Sequence, residues 1–240
     1  MIDIFCKPVI EQLKIDRFIE TGAHQGESLA RVSLWFSELY PEFGKIDQLV
    51  LTGAKPPTRW SSSIPYPVFT DCQQSSYKIY SVEIDPESHN TIKNLFSSNR
   101  NIVFACESSE KYLRHLIDSK TIDATHNCFF YLDAHWGEYW PLRDEIKQIL
   151  RLSRFVISID DFKVPGHREF GYDSYGRKDC CWAYVKDLFS GKKVNVYYPR
   201  RSNRDNRGWV LIFHGYSSTQ LRFLKKLPLF ERPRWRRLLS

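Results

Sequence analysis

The sequence predicts an α/β fold in which a doubly wound, mostly parallel sheet of seven strands ends in an antiparallel hairpin. Short β-branched and aromatic runs alternate along the chain with charged segments of helical periodicity. That order is typical of a parallel sheet with helices on both faces. Apolar residues make up 42% and aromatic residues 15% of the 240 residues, which excludes a disordered chain. These observations favour a Rossmann-like architecture.

Five strands are predicted before the hairpin, and four of them end on or beside an acidic residue. The predicted strands are Arg17 to Glu20, Lys78 to Glu83, Asn101 to Ala105, Cys128 to Asp133 and Arg154 to Asp160. The predicted helices cover residues 26–39, 86–98, 108–118, 140–152 and 178–189. Two further runs, Lys193 to Tyr198 and Trp209 to Phe213, are separated by a polar turn and predict the hairpin.

Residues 1–240 are predicted to form a single domain with two unusual segments. Residues 41–77 contain five prolines and a run of three serines, and they predict an insertion that is either a functional lid or a partly disordered loop. A small hairpin around Gln48 to Leu51 is expected within it. Residues 216–240 form a basic tail. Residues 200–240 carry a local charge of +9 within a total of +7, and such a cluster attracts phosphates.

The composition favours a cytoplasmic protein. The longest uninterrupted apolar runs are about five residues, far short of the ~20 that cross a bilayer. The first residues lack the apolar stretch of a signal peptide. None of the six cysteines has CxxC spacing, so we expect them to be reduced.

The ends of the first two predicted strands indicate a nucleoside cofactor, because ligands of open parallel sheets bind beyond the carboxyl ends of the strands. The first strand enters a turn in which Gly22 and Gly26 allow a close approach of the backbone, and Glu20 can bind a cationic amino group. His24 occupies the position of the middle glycine of a dinucleotide fingerprint, so the turn alone is a weak signal. Glu83 ends the second strand, where a carboxylate can accept from both ribose hydroxyls.

The third strand end carries Glu107 and Ser108, which could meet an adenine edge or simply cap the next helix. The fourth and fifth strands end at Asp133 and at Asp160 with Asp161. Three neighbouring carboxylates repel one another unless a cation lies among them, and carboxylate oxygens suit Mg²⁺. The alternative is that Asp161 caps the following loop.

Four ordered segments resemble the class I S-adenosylmethionine-dependent methyltransferases, and most of all their Mg²⁺-dependent catechol and sugar O-methyltransferases. The segments are Glu20 to Ser28, Glu83 to Pro86, Leu132 to Trp136 and Ile159 to Gly166. The resemblance implies S-adenosylmethionine as cofactor, with Mg²⁺ bound by Asp133, Asp160 and Asp161. The implied cofactor-binding residues are Glu20, Gly22, Ala23, Gly26, Ser28, Glu83, Ile84, Glu107, Ser108 and Asp133.

The general base cannot be transferred from the catechol enzymes. Gly137 occupies the position of their lysine, and Ala134 is an extra residue before the histidine. His135 is the first candidate for the base and His167 the second, because imidazole titrates near neutral pH.

The predicted function is therefore Mg²⁺-assisted O-methylation of a small-molecule hydroxyl, on a phenol or a sugar. One competing hypothesis is an RNA methyltransferase that uses the basic tail, so a nucleic-acid partner is possible but not favoured. Two more hypotheses stay open at this point: a metal-dependent nucleotide-sugar transferase, and a degenerate fold that serves as a binding module.

Overall fold

The structure is a computed structural model that describes residues 2–50, 65–135, 139–201 and 206–231. Several positions of interest lie outside the described residues. They are the middle of the predicted insertion (51–64), the position of Gly137, and the last residues of the basic tail (232–240).

The described chain contains six α-helices and twelve strands. The helices are α1 (Cys6–Gln12), α2 (Glu27–Leu39), α3 (Pro86–Leu95), α4 (Ser109–Asp118), α5 (Leu142–Ile149) and α6 (Trp182–Val185). The strands are β1 (Arg17–Thr21), β2 (Lys45–Val50), β3 (Tyr66–Thr70), β4 (Lys78–Glu83), β5 (Ile102–Cys106), β6 (Cys128–Leu132), β7 (Phe155–Ile159), β8 (Ser174–Tyr175), β9 (Lys178–Asp179), β10 (Val194–Pro199), β11 (Val210–His214) and β12 (Leu229–Glu231). Short 3₁₀ helices cover Pro41–Phe43, Lys186–Phe189 and Arg222–Lys226.

The main sheet has eight strands in the order β12-β10-β11-β7-β6-β1-β4-β5. The five strands from β7 to β5 are parallel, whereas β11, β10 and β12 pair in antiparallel fashion. The predicted α/β, mostly parallel architecture with a C-terminal antiparallel hairpin is confirmed. The predicted number of seven strands is wrong, because the short strand β12 from the tail pairs with the edge of β10.

Each face of the sheet packs against its own hydrophobic core. Phe18 of β1 faces the core that includes α1 and α2, and the next residue, Ile19, faces the core that includes α4 and α5. This alternation follows from the two-residue period of a strand. It also places Glu20 beneath α2 and Thr21 beneath α4 and α5.

Two elements differ from the sequence-based prediction. Helix α1 was not predicted; its seven residues are too few for a clear period, and packing of Val9 and Ile10 in the core stabilises it. The last predicted helix begins at Trp182 rather than at residue 178. The preceding residues form the hairpin β8–β9, whose turn uses positive φ at Gly176 (52°) and Arg177 (71°).

In the described part of the insertion, β2 and β3 pair in antiparallel fashion. The predicted small hairpin around Gln48 to Leu51 is not found as expected, because Gln48 and Val50 lie within β2, and residues 51–64 lie outside the described residues. Tyr66 of β3 donates its hydroxyl to the carbonyl oxygen of Gln25 at 2.7 Å. The insertion therefore contacts the turn after β1, and its role as a lid stays a prediction.

No helix in the described ranges combines the length and the apolar character that crossing a bilayer requires.

Candidate active site

Four adjacent strands, β4, β1, β6 and β7, carry most of the predicted site residues to one edge of the sheet, and β5 next to β4 carries Glu107 and Ser108. Thr21 pairs with Val82 of β4 and with Leu132 of β6, and Leu132 pairs with Ile159 of β7. The strand tips are therefore level. The order along the chain reverses between β1 and β6, and this reversal opens the crevice in which α/β sheets bind ligands.

Glu83 connects the tip of β4 to the turn after β1. Its side chain is buried, and its two oxygens accept the backbone N–H groups of His24 at 2.7 Å and of Asp85 at 3.0 Å. A carboxylate oxygen has two lone pairs, so each oxygen can still accept one further hydrogen bond from a ligand.

Gly22 lets the same turn touch the end of β6. Its φ is +76°, and a Cβ atom there would lie 2.7 Å from the carbonyl oxygen of Asp133 and 2.8 Å from Cα of Ala134. Both neighbours are backbone atoms and cannot rotate away. Glycine is required here by the packing of two backbone segments as well as by its dihedral angle.

Glu20 and Ser28 lie on the α2 face of the crevice. Glu20 is buried and accepts the hydroxyl of Ser81 at 3.0 Å, and burial raises its pKa to about 8. Ser28 accepts the backbone N–H of Ile2 at 2.9 Å. Ala23 is buried in the turn, and Gly26 precedes α2 with a φ of +77°.

The third strand end supplies unsatisfied polar atoms on the opposite face. Ser108 precedes α4 without a side-chain capping hydrogen bond, and its hydroxyl oxygen is buried and unpartnered. The hydroxyl of Thr21, at the tip of β1 on the same face, is buried, has no hydrogen bond of normal geometry and lies near Glu145. Glu107 is half-buried, and Ile84 is 38% exposed. Buried hydroxyls of this kind fit a crevice that binds a polar ligand.

Asp133 and Asp160 share the hydroxyl of Tyr131 as a hydrogen-bond donor. The Tyr131 hydroxyl lies 2.7 Å from Oδ2 of Asp160 and 3.3 Å from Oδ2 of Asp133. Burial, and then the nearby charge of Asp160, raise the pKa of Asp133 well above its usual range. A single phenol proton cannot serve both carboxylates fully, so burial and the repulsion between them favour the protonated form of Asp133.

Asp161 does not join these two aspartates. It adopts a left-handed φ of +50°, and its side chain forms an ion pair with Arg207, which also pairs with Asp173. Among the described residues, no group of three or more His, Cys, Asp or Glu side chains could hold a metal ion. The predicted three-aspartate magnesium site is therefore not supported, because an arginine already occupies the third carboxylate.

The two predicted bases lie in different places. His135 is exposed, packs its ring 5.3 Å from that of Tyr175, and lines a cavity beside Asp133. His167 pairs with Glu169 at 2.7 Å and packs against Phe230. The structure brings His135 to the crevice and leaves His167 in the loop beyond it.

Comparison with known proteins agrees with this topology. No protein-family model and no curated protein matches the sequence. An O-methyltransferase from Bacillus cereus in complex with SAH is similar over 88% of this chain and 79% of its own, at 11% identity and a TM-score of 0.54. The O-methyltransferase TomG from Streptomyces achromogenes, involved in tomaymycin synthesis and in complex with SAM, covers 88% and 78% at 12% identity and the same TM-score.

The chain has the class I methyltransferase fold. At these identities the likeness establishes the fold alone.

Within this methyltransferase fold, a small cavity of about 20 Å³ opens between the ends of β6 and β7 and helix α5. The carboxylates of Asp133 and Asp160 line this cavity, and the rings of Trp140 and Tyr175 form part of its wall. Its lining residues are Leu132, Asp133, Ala134, His135, Trp140, Leu142, Glu145, Ile159, Asp160, Asp161, Asp173, Tyr175 and Cys180.

Glu145 is a cavity residue that the sequence analysis missed. It is fully buried, neither carboxylate oxygen has a hydrogen bond of normal geometry, and burial raises its pKa to about 7. The hydroxyls of Ser109 and Thr21 lie near enough to oppose that rise. The signal in the sequence is an acidic residue on the apolar stripe of α5, next to Ile146.

We expect Gly22→Ala to destabilise the fold by roughly 2–5 kcal/mol, since a left-handed alanine costs about 1–2 and overpacking against backbone about 1–3. Chemical denaturation measures this change. Gly191→Ala is the matched control, because Gly191 has a φ of +78° with no described atom within 4 Å of its Cβ position. Equal losses for the two variants would show that the contact with β6 contributes nothing.

The buried Glu145 makes stability depend on pH. Its folded pKa of about 7 exceeds the ordinary value of 4.5, so the stability contribution is complete below pH 4.5 and is lost as the pH rises to 7. Glu145→Gln should reduce the fall in the free energy of unfolding between pH 5 and 8 by roughly 2–3 kcal/mol. Urea denaturation at the two pH values tests this. Asp144→Asn, at an exposed position paired with Lys147, should leave the fall unchanged.

Proposed function

We propose that the protein transfers a methyl group from S-adenosylmethionine to a hydroxyl group of a small molecule. The observation that carries the proposal is the turn at Gly22, held between Glu83 and the end of β6 at the point where the strand order reverses. This is the place at which an α/β sheet binds a nucleoside. The fold of two O-methyltransferases in complex with SAH or SAM supports the same interpretation.

The residues around the crevice fit this cofactor. Glu83 would accept from the ribose hydroxyls, and Ile84 with Glu107 and Ser108 would border the adenine. Glu20 would bind the amino group of the methionine end, because a nearby cation stabilises the ionised form of its buried carboxyl group. Ala23, Gly26 and Ser28 would lie beside it. When bound, the cofactor supplies an electrophilic methyl group on a sulfonium.

The chain's own residues would position the acceptor. Asp160, Asp133 and Tyr131 offer oxygen atoms that can hydrogen-bond to the acceptor's hydroxyl and orient it. His135, at the mouth of the cavity, is the proposed final proton acceptor. Trp140 and Tyr175, whose ring centroids lie 5.1 Å apart, would contact the flat face of a phenol or the apolar face of a sugar.

Magnesium assistance is left out of this proposal. The resemblance implies three aspartate ligands, but Asp161 is engaged by Arg207 and the remaining pair, Asp133 and Asp160, is bridged by Tyr131. No step of the proposed transfer passes through a metal.

Calorimetric titration with SAH tests cofactor binding directly. Glu83→Gln should weaken binding about tenfold or more, because the variant loses a charged acceptor. Asp47→Asn, a substitution on the exposed strand β2, should leave the affinity unchanged. Absence of SAH binding to the unaltered chain would refute the proposed function.

The affinity for SAH should also depend on pH through Glu20. Its pKa of about 8 means that the protonated form prevails at lower pH, whereas an ammonium group binds the ionised form. We therefore expect the affinity to fall by up to tenfold for each pH unit below 8. Glu20→Gln should bind SAH more weakly and remove this dependence. A pH-independent affinity of the unaltered chain would place the amino group elsewhere.

Formation of SAH from SAM tests the acceptor class. We expect turnover with members of a panel of phenols and sugars, and none with RNA. Turnover with RNA that requires the basic residues 232–240 would favour the RNA methyltransferase instead.

A further inference from the structure

Two consecutive aspartates at the end of β7 turn to different partners. Asp160 faces the Tyr131 hydroxyl at 2.7 Å, whereas Asp161 faces the guanidinium group of Arg207. The left-handed backbone of Asp161, with a φ of +50°, produces this divergence. For a residue other than glycine, such a conformation must be stabilised by its surroundings.

Arg207 joins two carboxylates with different nitrogen atoms. Its Nε donates to Asp161 and its Nη2 to Asp173. Hydrogen bonds to these two carboxylates raise the pKa of Arg207 above its already high value, so the side chain remains cationic. Asp173 also accepts the hydroxyl of Tyr175 at 2.7 Å. The charges of both carboxylates are thus satisfied within the protein.

The backbone around Arg207 fixes it against the end of β7. Gly208 accepts the N–H of Phe162 and donates to the carbonyl of Gly171, both at 2.8 Å. A Cβ on Gly208 would lie 2.3 Å from the carbonyl oxygen of Phe162. The main-chain N–H of Asp173 donates to the carbonyl of Asp161 at 2.9 Å. The segment that carries Arg207 therefore has little room to move away.

We propose that Arg207 is a built-in cation that keeps Asp161 and Asp173 out of any metal coordination, so that this site does not bind a divalent metal ion. The guanidinium group provides a fixed positive charge at Asp161, one of the three carboxylates that the resemblance implies as Mg²⁺ ligands. Binding of Mg²⁺ to Asp161 would break a partly buried ion pair and bring a double positive charge next to a single one. Mg²⁺ also requires near-octahedral oxygen ligands, and the paired Asp161 offers no suitable geometry.

This inference extends the proposed function. It depends on that function only for the assumption that the acceptor hydroxyl binds in the cavity beside Asp160. It implies that methyl transfer in this cavity proceeds without a metal, with the acceptor hydroxyl held by the protein's own oxygen atoms. Metal binding by the chain can be measured without any acceptor.

Titration of the full chain with Mn²⁺, followed by the electron paramagnetic resonance of the free ion, tests the proposal. The unaltered chain should show no site tighter than about millimolar. Arg207→Gln should gain one Mn²⁺ site at least tenfold tighter, and Asp160→Asn in that background should abolish it. Arg207→Lys keeps the charge and should show no gain. Arg200→Gln is the matched control, because Arg200 donates to the carbonyl oxygen of Leu229 rather than to a carboxylate.

Two results would overturn the proposal. The first is a Mn²⁺ site in the unaltered chain that Asp160→Asn removes. The second is that neutral substitutions at Arg207 gain no site, which would mean that the arginine is not what excludes the metal. Should Arg207→Gln fail to fold, as judged by circular dichroism, Arg207→Met retains the apolar stem and provides the same comparison. SAH titration of each variant reports separately on the proposed function, so that the two ideas fail independently.

Discussion

The parallel pairing of β1 with β4 on one side and β6 on the other is the constraint on which the site depends. Because the three tips are level, the turn at Gly22 passes within backbone contact of the end of β6. That contact leaves no space for a side chain at Gly22. On the other side of the turn, the carboxylate of Glu83 accepts the backbone N–H of His24. The crevice is therefore shaped by main-chain packing, with the carboxylates placed around it.

Burial of acidic groups is the main electrostatic feature of this crevice. The pKa values of Glu20 and Glu145 rise to about 8 and about 7, and that of Asp133 rises well above its usual range. Desolvation of the charged form is the largest cause in each case. Groups of this kind lower the stability of the folded chain at neutral pH, and sites that bind cations or move protons commonly contain them. Here the α2 face carries Glu20 and the α5 face carries Glu145, one on either side of the sheet.

The strands were predictable because their signal is local. The limits of the five parallel strands agree with the prediction to within one residue at each end. The reason is that the change from apolar to polar residues at each end of these runs marks where the strand begins and ends. The antiparallel pair β10–β11 followed in the same way. Strand β12 and helix α1 were missed, because both are short and are stabilised by tertiary pairing or packing rather than by pattern.

The sequence by itself determined that acidic residues gather at one edge of a parallel sheet, since a strand's period and the βαβ order fix which residues end there. Only the tertiary structure decided which of those carboxylates face one another. Asp161 pairs with Arg207, which lies 46 residues away in the chain. Glu145 lines the cavity although it lies on the apolar face of α5, where the sequence pattern predicts core residues. The physical reason is that ion pairing and desolvation depend on distances between remote segments, which no local pattern records.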